Sequence, residues 1–370
     1  MIAANDFRRQ WEDTRQDSIL TFTTVMSSGW YILGKEVRAF EDSLAAHWGL
    51  SHAIGVASGL DAIEIALRIL ECGPGDKVLT TPLSAFATTM AIVKLGAIPV
   101  YVDTDEYGLI DLNRCKEALE QHHDIRFSVP VHLYGHCLDM GMLRLLKERF
   151  SLGIVEDCAQ SISAVRNGIR CGTIGQMAAT SFYPTKNLGA IGDGGAILTS
   201  TPEYADAALK YRDYGQSAKY KHDVIGWNSR LDELQAALLN HVFLGRLQQW
   251  TLRRRQIARA YLDGIRHHGI RCVAAPEGSE SSWHLFPVLV APDKKLSFLQ
   301  YLCSAGIGAG EHYPILLPDQ SAMKNRPYQV VGDLGHALKF SNGEVSLPIH
   351  PYLSDLEVAE VISACNQWKE

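Results

Sequence analysis

The stretch Ala53-Ile54-Gly55-Val56-Ala57-Ser58-Gly59-Leu60-Asp61-Ala62-Ile63-Glu64-Ile65-Ala66-Leu67-Arg68-Ile69-Leu70 changes its period part-way along. Ala53 to Ala57 reads as a short buried strand. Leu60 to Leu70 reads as a helix. Ser58 stands between them, where it can cap the helix, and Asp61 three residues on completes a capping-box-like pattern. Outward from this unit the rhythm repeats. Val78 to Thr81 reads as a strand, Ser84 to Leu95 as a helix stopped by Gly96, and Ile98 to Val102 as a strand again. Phe127 to His132 and Gly153 to Glu156 follow as strands, separated by the amphipathic Met140 to Phe150. This βαβ alternation predicts an α/β fold with a mixed, mostly parallel sheet covered by helices. Ligands of such sheets bind beyond the carboxyl ends of the strands.

The pattern changes after about residue 230. Leu231 to Tyr261 reads as a long helical stretch with a break or bend. Ser282 to Val290 is strand-like, Leu296 to Ala305 helical, and Tyr313 to Pro318 a Pro-rich loop. The expected organisation is an N-terminal arm (1–30), a large domain (31–240) and a smaller α+β domain (241–370).

Composition narrows the function classes. Thirty-five Lys+Arg against 41 Asp+Glu give a net charge of −6. That balance does not suit wrapping nucleic acid or anchoring to an acidic membrane. Met1 to Asp6 lack the basic and apolar regions of a signal peptide. No apolar run approaches the roughly 20 residues that span a bilayer. Eight cysteines, none in a CxxC pair, are expected to be free thiols rather than disulfides or zinc ligands. His132 and His136 are four apart but sit on a strand followed by a turn, so they are not expected to share a helix face as metal ligands. The expected address is cytoplasmic, with no metal.

Four motifs could carry chemistry. Ser58-Gly59-Leu60 at a helix start offers free N–H groups to an anion such as phosphate, although a capped helix needs no ligand to explain it. Glu156-Asp157-Cys158-Ala159-Gln160 ends an apolar strand in two acids, either of which could hold a cationic N–H or simply be solvated. Ser181-Phe182-Tyr183-Pro184-Thr185-Lys186-Asn187-Leu188-Gly189 puts a lysine on a structured turn between strands, where it could form a Schiff base with a carbonyl. Gly226-Trp227-Asn228-Ser229-Arg230-Leu231-Asp232 starts a helix, yet Asn228 and Arg230 have no local partner to explain them. The run Gly189 to Gly195 lacks the GxGxxG spacing and precedes a strand, which counts against a dinucleotide-binding dehydrogenase. Gly-x-Ser-x-Gly is absent, which counts against an α/β-hydrolase.

In this order the four motifs resemble the DegT/DnrJ/EryC1/StrS sugar aminotransferases, fold-type-I enzymes that use pyridoxal 5′-phosphate (PLP). The resemblance runs from Tyr31-Ile32-Leu33-Gly34 to Leu347-Pro348-Ile349-His350-Pro351. It implies that Lys186 is the Schiff-base lysine and that Asp157 pairs with the pyridinium nitrogen. Gln160 would bond the phenolic oxygen and Phe86 would stack on the ring. Ser58, Gly59, the amide of Leu60 and Ser181 would hold the phosphate. It further implies a homodimer with shared sites, Asn228 reaching the phosphate from the partner chain with Arg230 nearby. Tyr183, Arg230, His312 and Tyr313 would lie toward the sugar. Leu60 replaces a frequent Thr, Gly135-His136 a frequent Gly-Gln, and Leu317-Pro318-Asp319-Gln320 lacks a common His.

The expected reaction is therefore transamination of a nucleotide-linked, dTDP-activated keto-6-deoxysugar at C3, with L-glutamate as donor. The Gly59-Leu60-Asp61-Ala62 variant points to the 3-amino branch. Related PLP sugar dehydratases carry His at the Lys186 position, so Lys186 favours transamination. The alternatives are a PLP-dependent dehydratase or lyase, and a non-catalytic sensor subunit on the same fold.

Overall fold

The computed structural model describes residues 1–369. Seven strands of its central sheet come from the first two hundred residues. They are β1 (His52–Val56), β2 (Lys77–Thr80), β3 (Ile98–Val102), β4 (Ile125–Val129), β5 (Gly153–Asp157), β6 (Met177–Ser181) and β7 (Gly195–Thr199). An eighth, Gln329–Val331, joins from the C-terminal third. The order is β1-β7-β6-β5-β4-β2-β3 with Gln329–Val331 beyond β3. Strand β7 runs antiparallel to both its neighbours and the other pairings are parallel. The fold is thus the mixed, mostly parallel α/β sheet that the sequence predicts.

The strands are buried on both faces, as the short apolar runs require. Along β5, Ile154 joins one core cluster and Val155 the other, and Ala196, Ile197 and Leu198 alternate likewise along β7. One cluster packs under α2 (Lys35–Trp48), whose Val37, Phe40, Leu44 and Trp48 are buried. The other packs under α3 (Gly59–Ile69) and α4 (Phe86–Lys94).

The chain begins with α1 (Phe7–Ser28), capped by Asp6, whose carboxylate accepts from the Arg8 and Arg9 N–H groups at 3.1 and 3.0 Å. The expected arm is therefore a 22-residue helix. Its buried stripe is Thr14, Ser18, Thr21 and Val25, which leaves Trp11, Ile19, Leu20, Phe22 and Met26 on the outer face. The long helical stretch does bend. After Glu233–Leu238 comes a wide π turn over Leu239–Phe243, then a tight 3₁₀ turn over Leu244–Arg246, then Leu247–Gly264. A three-stranded antiparallel sheet (Arg271–Cys272, Phe286–Leu289, Glu344–Leu347) carries its own apolar cluster. Ile2 belongs to that cluster and pairs with Ile307. No helix among the described residues is long and apolar enough to cross a membrane.

One buried carboxylate ties the later helices to the sheet layer. Glu233 accepts N–H groups of Gly34 (2.8 Å), Glu36 (3.0 Å) and Val37 (2.8 Å) at the start of α2. Gly34 offers no side-chain cap, so Glu233 supplies it from two hundred residues away. Glu233→Ala would strand these buried donors and cost about 2–4 kcal/mol. We expect a lower denaturant midpoint for Glu233→Ala and a smaller loss for Glu233→Gln, which keeps one acceptor oxygen. An unchanged midpoint in the alanine variant would contradict this account.

Candidate active site

Lys186 lies on a turn pinned at both ends. Upstream, Phe182 is fully buried and meets Phe40 edge-to-face at 5.3 Å. Its N–H donates to Gly194 O at 2.8 Å and its carbonyl accepts from Ala190 N at 2.8 Å. Downstream, Asn187 donates through Nδ2 to Ser282 O at 2.8 Å and its Oδ1 faces His284 Nδ1 at 3.2 Å. Within the turn the Lys186 N–H donates to Tyr183 O at 2.8 Å. Gly189 closes the turn against the Pro184 carbonyl, where a Cβ would have no room. The Lys186 side chain points into a cleft of about 340 Å³ at the carboxyl ends of the strands. Crowding by protein strips water from the ammonium and pushes its pKa down to about 8, against the opposing pull of Asp157.

The two acids that end β5 go to opposite faces, because successive strand residues alternate. Asp157 shares the face of Val155 and lines the cleft. Its Oδ2 accepts from Thr88 Oγ1 at 2.9 Å and its Oδ1 from the Ala159 N–H at 3.1 Å. Burial raises its pKa, with both hydrogen bonds and Lys186 acting the other way. Glu156 lies on the other side, wholly buried, against His132 Nε2 at 2.9 Å. It also accepts N–H groups from Gly172, Ile174 and Gly175 at 2.8, 2.7 and 2.6 Å. Burial alone would raise the Glu156 pKa, but these hydrogen bonds outweigh it and hold the pKa below the ordinary value.

Gln160 is held by its neighbours, its Oε1 accepting from Tyr134 N at 2.7 Å and its Nε2 donating to Tyr313 OH at 3.1 Å. The His312 N–H donates to Glu344 Oε2 at 2.6 Å, and its Nδ1 faces Ser346 Oγ at 2.9 Å. Burial, then the nearby Lys186 charge, pushes the His312 imidazole down to about 4. It is neutral at pH 7.

The anion cradle is built where β1, β6 and β7 meet. Gly195 pairs with both Val56 and Ser181. Ser58, extended at φ −160°, caps α3 by accepting the Asp61 N–H at 3.1 Å. A Cβ on Gly59 would come within 2.8 Å of Ser181 Cβ, so only glycine lets the first turn of α3 approach Ser181 this closely. The Gly59 and Leu60 amides that open α3 have no intrahelical acceptor, and both residues line the cleft. A buried acid for a ring nitrogen, a lysine beside it and an anion cradle opposite are the donor set that PLP needs, so the residues fit that cofactor.

Of the residues expected from sequence, Gly59, Leu60, Asp157, Gln160, Ser181, Tyr183, Lys186, His312 and Tyr313 line this one cleft. Ser58 stands behind it as the helix cap. Phe86 is not among the residues that line the cleft. The residues of this segment that line it are Ser84 and Ala85, just ahead of α4, and Ala87 and Thr88 in its first turn. Asn228 and Arg230 do not reach their own chain's cleft. Asn228 pairs with Asp213, and Arg230 Nη1 bonds Asp213 Oδ1 at 2.9 Å beneath the Tyr214 ring. His284 and Thr88 line the cleft without having been singled out. Thr88 was within sight, four residues after Ser84 on a helix. His284 lies in the strand-like stretch Ser282 to Val290, about a hundred residues from Lys186, and no spacing links the two.

A protein-family description, the DegT/DnrJ/EryC1/StrS aminotransferase family, matches residues 12–366. The chain is 38% identical over 367 residues to a dTDP-3-amino-3,4,6-trideoxy-alpha-D-glucose transaminase of Streptomyces venezuelae, covering 99% of this chain and 95% of that protein. It is 34% identical over 358 residues to a UDP-N-acetyl-3-dehydro-alpha-D-glucosamine 3-aminotransferase of Acidithiobacillus ferrooxidans, covering 96% and 95%. Its structure superposes on that of S. venezuelae DesV in complex with a ketimine intermediate with a TM-score of 0.93 at 38% identity, over 98% of this chain and 97% of the other. The chain belongs to the DegT/DnrJ/EryC1/StrS family and is a PLP-dependent sugar aminotransferase.

Proposed function

We propose that the protein moves the amino group of L-glutamate to C3 of a dTDP-linked keto-6-deoxysugar, as a homodimer with shared sites. The observation that carries the transamination is Lys186 beside Asp157 in one cleft, with Gln160 and Tyr313 hydrogen-bonded on its wall. The dTDP and C3 assignments draw support from the S. venezuelae relative and from the Gly59-Leu60-Asp61-Ala62 variant. When bound, PLP supplies an electron sink that stabilises negative charge at the carbon losing a proton. Asp157 would hold its ring nitrogen, Gln160 its phenolic oxygen, and Ser58, Gly59, Leu60 and Ser181 its phosphate.

The chain's own part is positioning and proton transfer. Lys186 is the only cleft lysine, and its lowered pKa leaves a useful fraction of neutral amine at physiological pH. A neutral Nζ can take a proton from the amino-bearing carbon of glutamate and return one to the sugar carbon, a contribution of about 10² to 10⁴-fold. Thr88 and the Ala159 N–H keep Asp157 in place during both half-reactions. Neutral His312 and His284 line the cleft without adding charge, as an uncharged sugar ring requires.

The outer face of α1 supports the dimer. It turns Phe7, Trp11, Ile19, Leu20, Phe22 and Met26 to solvent, the reverse of a lone surface helix. An apolar groove of about 500 Å³ runs from α1 to Pro184 and Ile191, the shoulders of the Lys186 turn. A second copy covering this groove would bring its chain close to that turn. Asn228 and Arg230, which do not reach their own cleft, are the residues we assign to the partner's site.

Three outcomes are expected. With PLP bound, L-glutamate should convert the yellow chromophore to its near-ultraviolet form, and a dTDP-3-keto-6-deoxysugar should restore it. Lys186→Ala should lower turnover at least about 10²-fold without changing the oligomer. Turnover unchanged in that variant would end the assignment. Second, capture of PLP by the apoprotein needs the neutral amine, whose fraction grows as pH rises through about 8. Its rate, followed by absorbance, should therefore rise from pH 6 and level off above about 8. A rise continuing toward the ordinary lysine value near 10.5 would contradict the lowered pKa. Third, Trp11→Glu combined with Phe22→Glu should give a folded monomer by light scattering, with most activity lost. An active monomer would refute the shared site.

A further inference from the structure

Behind Asp157, across the sheet, three thiols and an imidazole converge. The ligand atoms of His132, Cys137 and Cys171 lie within 4.8 Å of one another, and all three residues are buried. His132, Glu156 and Cys158 form an overlapping group of the same size around the same imidazole. The members come from three separate segments: the turn after β4, the end of β5, and the loop 171–175 that wraps Glu156. Among the described residues, the other buried thiols, Cys72, Cys115 and Cys365, belong to no such group.

The imidazole is oriented as a ligand would be. Glu156 accepts three backbone N–H groups and sits 2.9 Å from His132 Nε2. Nε2 therefore carries the hydrogen and donates it to Glu156, while Nδ1 accepts the Leu138 N–H at 3.2 Å, a bond that a cation at Nδ1 would replace. The Cys137 and Cys158 thiols also lie within hydrogen-bond reach of the ring. A carboxylate that fixes the tautomer of a histidine is the outer-shell arrangement of metal-binding histidines. The wall behind is closely built. A Cβ on Gly172 would fall 2.8 Å from Trp48 Nε1 and 3.1 Å from Cys158 Sγ, so glycine alone allows the loop to close over the thiols.

We propose that Cys137, Cys171 and His132 bind a thiophilic divalent cation, Zn²⁺, with the Cys158 thiol as the fourth ligand. Three cysteines and one histidine are a closed tetrahedral zinc set, with no open position for substrate. Binding would release the thiol protons, and the thiolate charges would be matched by the cation inside the core. The site is a clamp. It ties together three segments, one of which ends in Asp157, and takes no part in the transamination. The sequence predicted no metal because no two cysteines stand in a CxxC pair. The fold assembles the set from residues 132, 137, 158 and 171 instead.

The test is the zinc content of the full-length protein produced in zinc-supplemented medium, dialysed against a chelator and measured by mass spectrometry of the metal. Chelator removes surface zinc, and a buried clamp retains its own. The wild type and Cys303→Ser, which removes the exposed thiol, should each hold close to one zinc per chain. Cys137→Ser combined with Cys171→Ser should hold less than a tenth of that, with a lower melting temperature. X-ray absorption at the zinc edge of the wild type should show sulfur together with nitrogen, which decides the question even if the double variant does not fold. A zinc-free wild type, a shell of oxygen and nitrogen alone, equal zinc in the double variant, or a Cys137–Cys171 disulfide in the mapped protein would each overturn the proposal.

Discussion

Two neighbouring carboxylates, Glu156 and Asp157, end one strand, and neither has access to bulk water. A buried carboxylate is tolerated only where donors surround it. Much of the local structure follows from meeting that demand twice, once on each face of β5. On one face the loop 171–175 folds its amides around Glu156 and His132 completes the shell. On the other, Thr88 from α4 and the Ala159 amide hold Asp157 toward the cleft. The acid that lines the cleft is thereby fixed by a strand whose other side is locked by a second buried acid.

The same separation of rigid support from reactive group recurs at Lys186. Its backbone is held by Phe182 in the core and by Asn187 against Ser282, while its amine alone reaches the cleft. The cleft around it is poor in permanent charge. His312 and His284 are neutral at physiological pH and Lys186 is partly so, leaving Asp157 as the one buried anion. A low-dielectric pocket with one fixed charge strengthens whatever cation lies against it.

How much of this the sequence discloses depends on the range of the interaction. The βαβ rhythm, the Ser58 cap and the Lys186 turn are encoded within a few residues, and the structure reproduces them with small shifts at element ends. Residues that meet only through the fold were harder to read. His284 reaches the cleft from the bend just before Phe286–Leu289, a strand of the other sheet. The arm at the N-terminus proved helical because Asp6 and Gly29 cap it at each end. Its buried stripe is mostly hydroxyl side chains, so the apolar period that marks a helix points outward and is easily missed. The thiol cluster is invisible for the same reason as His284, since its members are scattered along the chain.

The double pairing of Gly195, to Val56 on one side and to Ser181 on the other, has a consequence for how the chain comes to exist. Strand β1 leaves the ribosome early but has no neighbour of its own period to lie against. Its partner, β7, is made only after β2 to β6 have been completed, and those strands can form a sheet without it. The edge of the nascent sheet is closed by a strand from the middle of the sequence, which slots between the first strand and the sixth. Pairing across so long a loop is slow. The cradle at Ser58 and Gly59 is therefore among the last parts of the sheet to take shape, and a ribosome-bound chain lacking its middle third holds the beginning of a site with no floor.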